Sequence, residues 1–426
     1  MAFSLSLSGL NGAAKAIDVI DNNIANTGTI GFKASIAHFQ NLYADAAART
    51  SGGNGIGDGG NVGRLLQNFT QGGLTLTDSS LDAAVVGKGL FRLRDSLDGE
   101  ITYTRDGQFM VLGGDVNIGG HTLTAAQRAN GEMMLVNTEG KSVSGFLPDA
   151  DGVVAMTGAP QDIVFKTGMA PSATSRVAIN ANLNSGAVPP TGAFDPDNPS
   201  TFNNASLSTV YDANGDTHEL RIYYVKQSSA NEWRLYSTLD KQTPATMGDL
   251  SFDVKGEMTS SPLFKQSYTQ NGKEILPALQ LDFSGTTQYA YPFGTITNEQ
   301  NGYGQGEVLS ANMVSYGENG EVNVHYSNGQ STVVARLALA TFKNLDGLVN
   351  VGGDQWQMTV DSGPELLDTG TTPLGLGKVQ GGATEDANVD LGNELVALIV
   401  QQRNYQANAQ ALKILDQAQQ SLIGIR

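Results

Sequence analysis

The two ends of this chain carry apolar stripes that no isolated helix can bury. At the N-terminus, Phe3, Leu7, Leu10, Ala14, Ile17 and Ile24 follow a three-and-four rhythm, with Asp21 occupying one expected slot. At the C-terminus, Leu391, Leu395, Leu398, Tyr405, Ala409 and Leu412 keep the same rhythm, with Gln402 interrupting. Ile399, Leu415 and Leu422 widen that second stripe. The spacing predicts amphipathic helices of coiled-coil-like character. Asp390 fits an N-cap, with Glu394 in the first turn. At about 35 residues the C-terminal helix would run roughly 50 Å. Such a stripe must be covered by something. The two helices can pair, bring the termini together and leave their remaining apolar surface to other copies, so that they order on assembly. Both can instead pack on the β core of their own chain. Periodicity alone supports the two arrangements equally.

The middle, about residues 70–385, reads as β. Short alternating runs are punctuated by Asp106-Gly107, Asn214-Gly215, Asn319-Gly320 and Asn328-Gly329, dipeptides that supply the positive φ of tight hairpins. Val322, Val324 and Tyr326 alternate ahead of one such turn, and Val333 and Val334 follow it. Leu220–Val225 and Trp233–Leu239 form a similar pair. No helical period is long enough to trust in this region, and there is no regular repeat. Residues 51–63 are Gly-rich and read as a connector, and residues 184–205 as an irregular stretch.

Composition removes several functions. The chain has 426 residues, enough for about three domains. Lys and Arg number 25 against 42 Asp and Glu, a net charge of −17, which repels phosphate backbones and anionic lipid surfaces. With no cysteine, disulfides, thiol catalysis, Cys-type zinc sites and iron–sulfur clusters are excluded. No apolar run approaches the roughly 20 residues of a spanning helix; Leu395–Val400 has six. The N-terminus lacks the basic leader and apolar core of a signal peptide, so export, if it occurs, is expected by another route.

The residues that could carry chemistry fall short of it. His38, His121, His218 and His325 stand outside metal-ligand spacing of one another. Asp212, Asn214 and Asp216 begin like a calcium loop, but Thr217 and Tyr223 occupy the positions that need Gly and a carboxylate, so a polar hairpin turn fits better. The glycines of 52–60 lack the flanking strand and helix of a dinucleotide site. Gly87-Lys88-Gly89 lacks the phosphate-loop pattern. No catalytic, cofactor-binding or metal site is expected. Asn22, Asn23 and Asn26 read as a polar helix exit.

The end motifs carry a resemblance. Ser8-Gly9-Leu10-Asn11, Asn22-Asn23-Ile24-Ala25-Asn26 and Gly31-Phe32-Lys33 are similar to the N-terminal signature of the bacterial flagellar axial family of rod, hook and filament-junction proteins; Thr27 and Gly28 depart from it. Asn388-Val389-Asp390-Leu391, Glu394-Leu395-Val396 and Gln402–Asn408 are similar to its C-terminal signature, with Thr384 and Ala387 as departures. Tyr103–Phe109, Val210-Tyr211-Asp212, His218-Glu219-Leu220, Tyr224-Val225-Lys226, Asn231-Glu232-Trp233, Asn301-Gly302-Tyr303, Tyr326–Gln330 and Leu339–Phe342 resemble the hook members in particular.

The resemblance implies a mainly β fold with α-helical termini. The paired helices form a coiled-coil-like domain, residues 1–24 and 385–426. An extended connector, 25–70, follows. The inner β domain is 71–147 and 303–384, and an outer inserted β domain is 148–302. The implied function is structural, without catalysis: a subunit that self-polymerises into a curved tube, the universal joint that carries torque from rod to filament. The expected self-association residues are Leu7, Leu10, Ile17, Ile24, Leu391, Leu395, Leu398, Tyr405, Leu412 and Leu415. The implied partners are many copies of the chain, the distal rod protein, the hook cap, the hook–filament junction proteins and the flagellar type III export apparatus, with no nucleic acid and no membrane insertion. The implied location is the extracellular hook, reached without a cleaved signal peptide. A distal rod protein is the alternative within the family. An exported β-rich adhesin or a hydrolase using paired carboxylates are the alternatives outside it.

Overall fold

The computed structural model describes residues 2–41, 60–149, 152–154, 158–270, 272–317, 320–368 and 375–423. Most of the Gly-rich connector at 51–63 and Asn319 lie outside them. The chain divides into two compact units. One comprises Met1–Lys166, Ser310–His325 and Ser331–Arg426, and the other Thr167–Leu309 and Tyr326–Gln330. The inserted unit therefore begins at 167, not 148. Strands Gln161–Asp162 and Val164–Lys166 pair instead with Ser142–Phe146 and Glu132–Val136 of the first unit.

In the first unit, helix α1 (Ala2–Ala25) leads into strand β1 (Ser35–Asn41), which pairs antiparallel with β2 (Gly60–Gln67). The segment expected to be a plain extended connector is thus a hairpin, with a bulge at His38/Phe39, and α1 packs against both of its strands. Two short pairs then tie the ends of the body together: β3 (Leu74–Leu76) with Ala383–Glu385, and β4 (Ala83–Val86) with Lys378–Gly381. Next, β5 (Leu90–Arg94) and β6 (Ile101–Thr104) sit centrally in a 14-stranded sheet whose edges along the main path are Val314–Tyr316 and Val349–Gly352. Leu90, Tyr103, Ala340, Phe342 and Trp356 close its core, with Phe342 set edge-on against Tyr103. A five-residue helix α2 (Ala125–Ala129) starts in a Thr124/Gln127 capping box. The final helix is α3 (Leu391–Ile423).

The second unit is built on two four-stranded sheets. One runs Asn204–Tyr211, Thr217–Lys226, Glu232–Leu239 and Ala245–Ser251 as a meander. The other runs Leu263–Gln270, Lys273–Asp282, Arg176–Asn182 and Gly294–Gln300. Alternation fixes which faces meet: Val177, Ile179 and Ala181 are buried, as are Leu220, Ile222 and Tyr224. Trp233 is fully buried, and its indole N–H donates to Gln288 Oε1 at 3.0 Å. The irregular stretch at 184–205 lays Phe194 flat on Tyr236, with ring centroids 4.1 Å apart.

The hairpins expected at Asn214-Gly215 and Asn328-Gly329 form, with Gly φ of 87° and 79°. Asp106-Gly107 makes no tight turn. The Gly107 carbonyl instead accepts the Ala83 amide, binding that segment to the end of β4.

Candidate self-association surface and the joint at its root

Helices α1 and α3 pack against each other. On α1 the buried row is Ala13, Ala16, Ile20 and Asn23, and small residues let neighbours approach closely. Gly9 marks a close crossing, because a Cβ there would sit 2.8 Å from Asn408 Oδ1 on α3. The two family-signature positions therefore meet in space. The predicted row is the shoulder of this contact rather than its centre. Leu10, Ile17 and Ile24 are half-buried, and Leu7 is exposed. Phe3 and Leu422 lie outside the described side chains.

On α3 no described residue is fully buried. Two rows replace the single predicted stripe. Glu394, Ala397, Leu398, Gln401, Asn408, Leu412 and Leu415 are half-buried at helical spacing, the pattern of a helix covered along one side. A second row, Leu391, Leu395, Val396, Ile399 and Val400, is 45–63 % exposed, and Tyr405 is exposed with it. The predicted residues thus divide: Leu398, Leu412 and Leu415 join the covered side, while Leu391, Leu395 and Tyr405 stand open. The hairpin adds Ile36, Phe39 and Leu65, also exposed. Single exposed apolar residues are ordinary, but a continuous row over three turns is the mark of an interaction surface.

The root of the helix pair is polar and closed. Asn23, 2 % exposed, receives the Ser35 amide on Oδ1 at 2.9 Å. Its Nδ2 donates to the Ser35 carbonyl at 2.9 Å and to Glu394 Oε1 of α3 at 3.1 Å. One amide side chain thus joins α1, β1 and α3. Asn22 and Asn26 match the helix exit expected of them, with Asn26 Nδ2 donating to the Asn22 carbonyl. Asn388 extends the joint: its Oδ1 accepts the Ala34 amide at 2.8 Å and its Nδ2 donates to the Asn68 carbonyl at 2.6 Å.

Beneath this lies a fully buried charge cluster. Glu385 Oε1 accepts from Lys33 Nζ at 2.6 Å and from the Gly72 amide at 2.8 Å. Its Oε2 accepts from the Arg105 guanidinium at 2.8 Å. Lys33 also donates to the Thr70 carbonyl at 2.7 Å, and Arg105 to the carbonyls of Val85 and Gly87. Burial pulls the Lys33 ammonium and the Arg105 guanidinium below their ordinary pKa values, against the pull of Glu385. Gly31, at φ 74°, lets the chain pass: a Cβ there would lie 2.4 Å from the Asp106 amide nitrogen. Lys33, Arg105 and Glu385 come from three distant segments, and periodicity had no means of joining them.

Elsewhere the residues that could carry chemistry make hydrogen bonds within the fold. Asp212 Oδ1 accepts the amides of Asn214 and Asp216, as a hairpin turn requires. His218 Nδ1 lies 2.7 Å from Asp240, His121 Nδ1 2.9 Å from Ser96, and His325 Nε2 3.0 Å from Ser315. Among the described residues no group of three or more His, Asp or Glu could hold a metal ion, and no helix is long and apolar enough to cross a membrane.

Comparison with known proteins agrees with the signatures. Residues 182–303, within the second unit, match the family described as the flagellar basal body protein FlaE D2 domain. Residues 380–425, which include Glu385 and α3, match the flagellar basal body rod FlgEFG protein C-terminal family. Over their full lengths, the chain is 35 % identical to the flagellar hook protein FlgE of Escherichia coli K12 and to that of Salmonella typhimurium LT2. It is 30 % identical to the flagellar hook protein FlgE of Rhizobium meliloti 1021, covering 99 % of this chain and 97 % of that one. With its two signatures meeting at Gly9 and Asn408, and with full-length similarity to these relatives, the chain belongs to the flagellar hook protein FlgE family.

Proposed function

We propose that this chain is the building block of a flagellar hook, polymerising through its terminal helices into a curved tube that carries torque from rod to filament. The observation that carries this reading is the open row Leu391, Leu395, Val396, Ile399 and Val400 on a 33-residue helix with no fully buried described residue. Full burial of a Leu or Ile side chain contributes about 1.5–3 kcal/mol, and these side chains begin roughly half-exposed. Covering them against neighbouring copies therefore supplies about 1 kcal/mol each, several kcal/mol per subunit. The two β units supply the wider wall of the tube. Their contacts along the axis are polar and individually weak, so they can exchange as the tube bends.

In this reading the self-association residues are Leu7, Leu10, Ile17, Ile24, Leu391, Leu395, Leu398, Tyr405, Leu412 and Leu415. The subunit performs no catalysis. It meets the distal rod protein at one end of the tube, and the hook cap and then the hook–filament junction proteins at the other. It arrives outside the cell through the flagellar type III export apparatus.

Negative-stain microscopy of concentrated full-length protein tests this. Curved tubes are expected from the parent chain. The Leu395→Asp, Ile399→Asp double variant is expected to stay monomeric with the parent's β-sheet circular dichroism. Tubes from that variant, or none from the parent, would refute the helical seam.

A further inference from the structure

We infer that the buried Lys33–Glu385–Arg105 cluster and the Asn23 bridge form an angular lock, fixing the direction in which the helix pair leaves the β body of the first unit. This rests on the polymer reading above and adds to it the residues that set subunit geometry.

Two connectors, residues 26–34 and 386–390, join the helices to the rest of the first unit. Neither is itself a helix or a strand. The α1–α3 contact orders the helices relative to each other, and α1 also packs on the β1–β2 hairpin, so the polar joint at the connectors acts together with that packing to set the exit direction. What spans the gap is polar. Asn23 ties the last turn of α1 to both backbone groups of Ser35 and to the first turn of α3. The Gly31 amide donates to the Glu385 carbonyl at 2.7 Å, joining one connector to the root of the other. Lys33 then pins the first connector to Glu385, while Arg105 pins Glu385 to the main sheet. Hydrogen bonds to a buried carboxylate are directional and short, so they resist rotation where apolar contacts would slide.

Leverage makes the angle matter. The 33 residues of α3 form an arm about 50 Å long. A swing of about 10° at its root would carry the far end about 9 Å, close to a helix diameter. A seam built from the row Leu391–Val400 and its continuation would lose register with the neighbouring copy. Lys33 and Asn23 are therefore positioning residues, acting on the seam through the helices.

The test uses three full-length variants. Lys33→Met leaves Glu385 matched one-to-one with Arg105, so the cluster becomes neutral and the β body remains folded. Asn23→Ala removes the bridge without burying a charge. Lys33→Arg restores the cation. Thermal melting monitors the β body, and helical reconstruction from electron cryo-microscopy reads subunit twist and rise. The expected result is a shifted twist, or loss of tubes, for Lys33→Met and Asn23→Ala at near-parental melting, with twist returning toward the parent in Lys33→Arg. Parental twist and rise in both variants would overturn the lock. So would a large fall in melting that accounts for lost tubes, because the residues would then be stabilising only. Absence of tubes from the parent chain would instead count against the polymer reading itself.

Discussion

Replacing Glu385 with Gln tests the buried cluster at its most exposed point of logic. The carboxylate is the single anion between two buried cations, and its side chain has no solvent exposure. The amide keeps the size of the side chain. One oxygen can still accept from Lys33 or from the Gly72 amide, but its NH2 group faces a donor where Oε2 met Arg105. Lys33 and Arg105 are then left buried as like charges with neutral acceptors alone, among them the carbonyls of Thr70, Val85 and Gly87. Removing one partner from a buried pair costs about 3–5 kcal/mol, because the remaining charge stays desolvated. At roughly 2–4 °C per kcal/mol for a large domain, the melting of the first unit should fall by about 6–20 °C. Lys33→Met removes a cation instead and leaves a balanced pair, so its cost should be far smaller. Calorimetry, with Trp356 fluorescence reporting the first unit and Trp233 the second, reads both transitions. A Glu385→Gln melt within about 1 °C of the parent, or a Lys33→Met penalty as large as that of Glu385→Gln, would refute the reasoning.

Three further outcomes are expected. Asp106 is held up to about 6 by burial, with Asp354, Asp82 and Glu139 adding like charge. A carboxyl raised on folding loses stability as pH climbs from about 4 to about 6 and does not recover above that, so Asp106→Asn should gain up to about 3 kcal/mol at pH 7 and nothing at pH 3 in thermal melts. Gly9→Val should push the helices apart at Asn408, abolishing tubes in electron micrographs without moving the β-sheet melt, and Asn408→Ala should partly rescue Gly9→Ala. Trp233→Ala should lower the second unit's transition by about 3–5 kcal/mol through cavity formation and the loss of its bond to Gln288, read by calorimetry.

The hairpins at Asn214-Gly215 and Asn328-Gly329 were readable because turn chemistry is local: positive φ is demanded within two residues and Gly meets it. The terminal helices were readable because 3.6-residue periodicity is equally local. Asp106-Gly107 misled because the same dipeptide also serves where a chain must make a close backbone contact, here with Ala83. The connector hid its hairpin because pairing β1 with β2 joins segments across 42–59, beyond the reach of a periodic pattern.

The sequence by itself determined helical ends, a β interior, an acidic chain without thiols, and the signatures that mark the family. Tertiary structure decided the rest. It chose Ala13, Ala16 and Ile20 over Leu7 as the buried row of α1, split the α3 stripe into covered and open faces, and turned Asn23 from a helix exit into a bridge. It also drew Lys33, Arg105 and Glu385 into one desolvated cluster. The reason is that local periodicity records which side of an element is apolar. Which neighbour covers that side, and which distant charge neutralises a buried one, depends on contacts hundreds of residues apart in the chain, and these exist only once the chain has closed on itself.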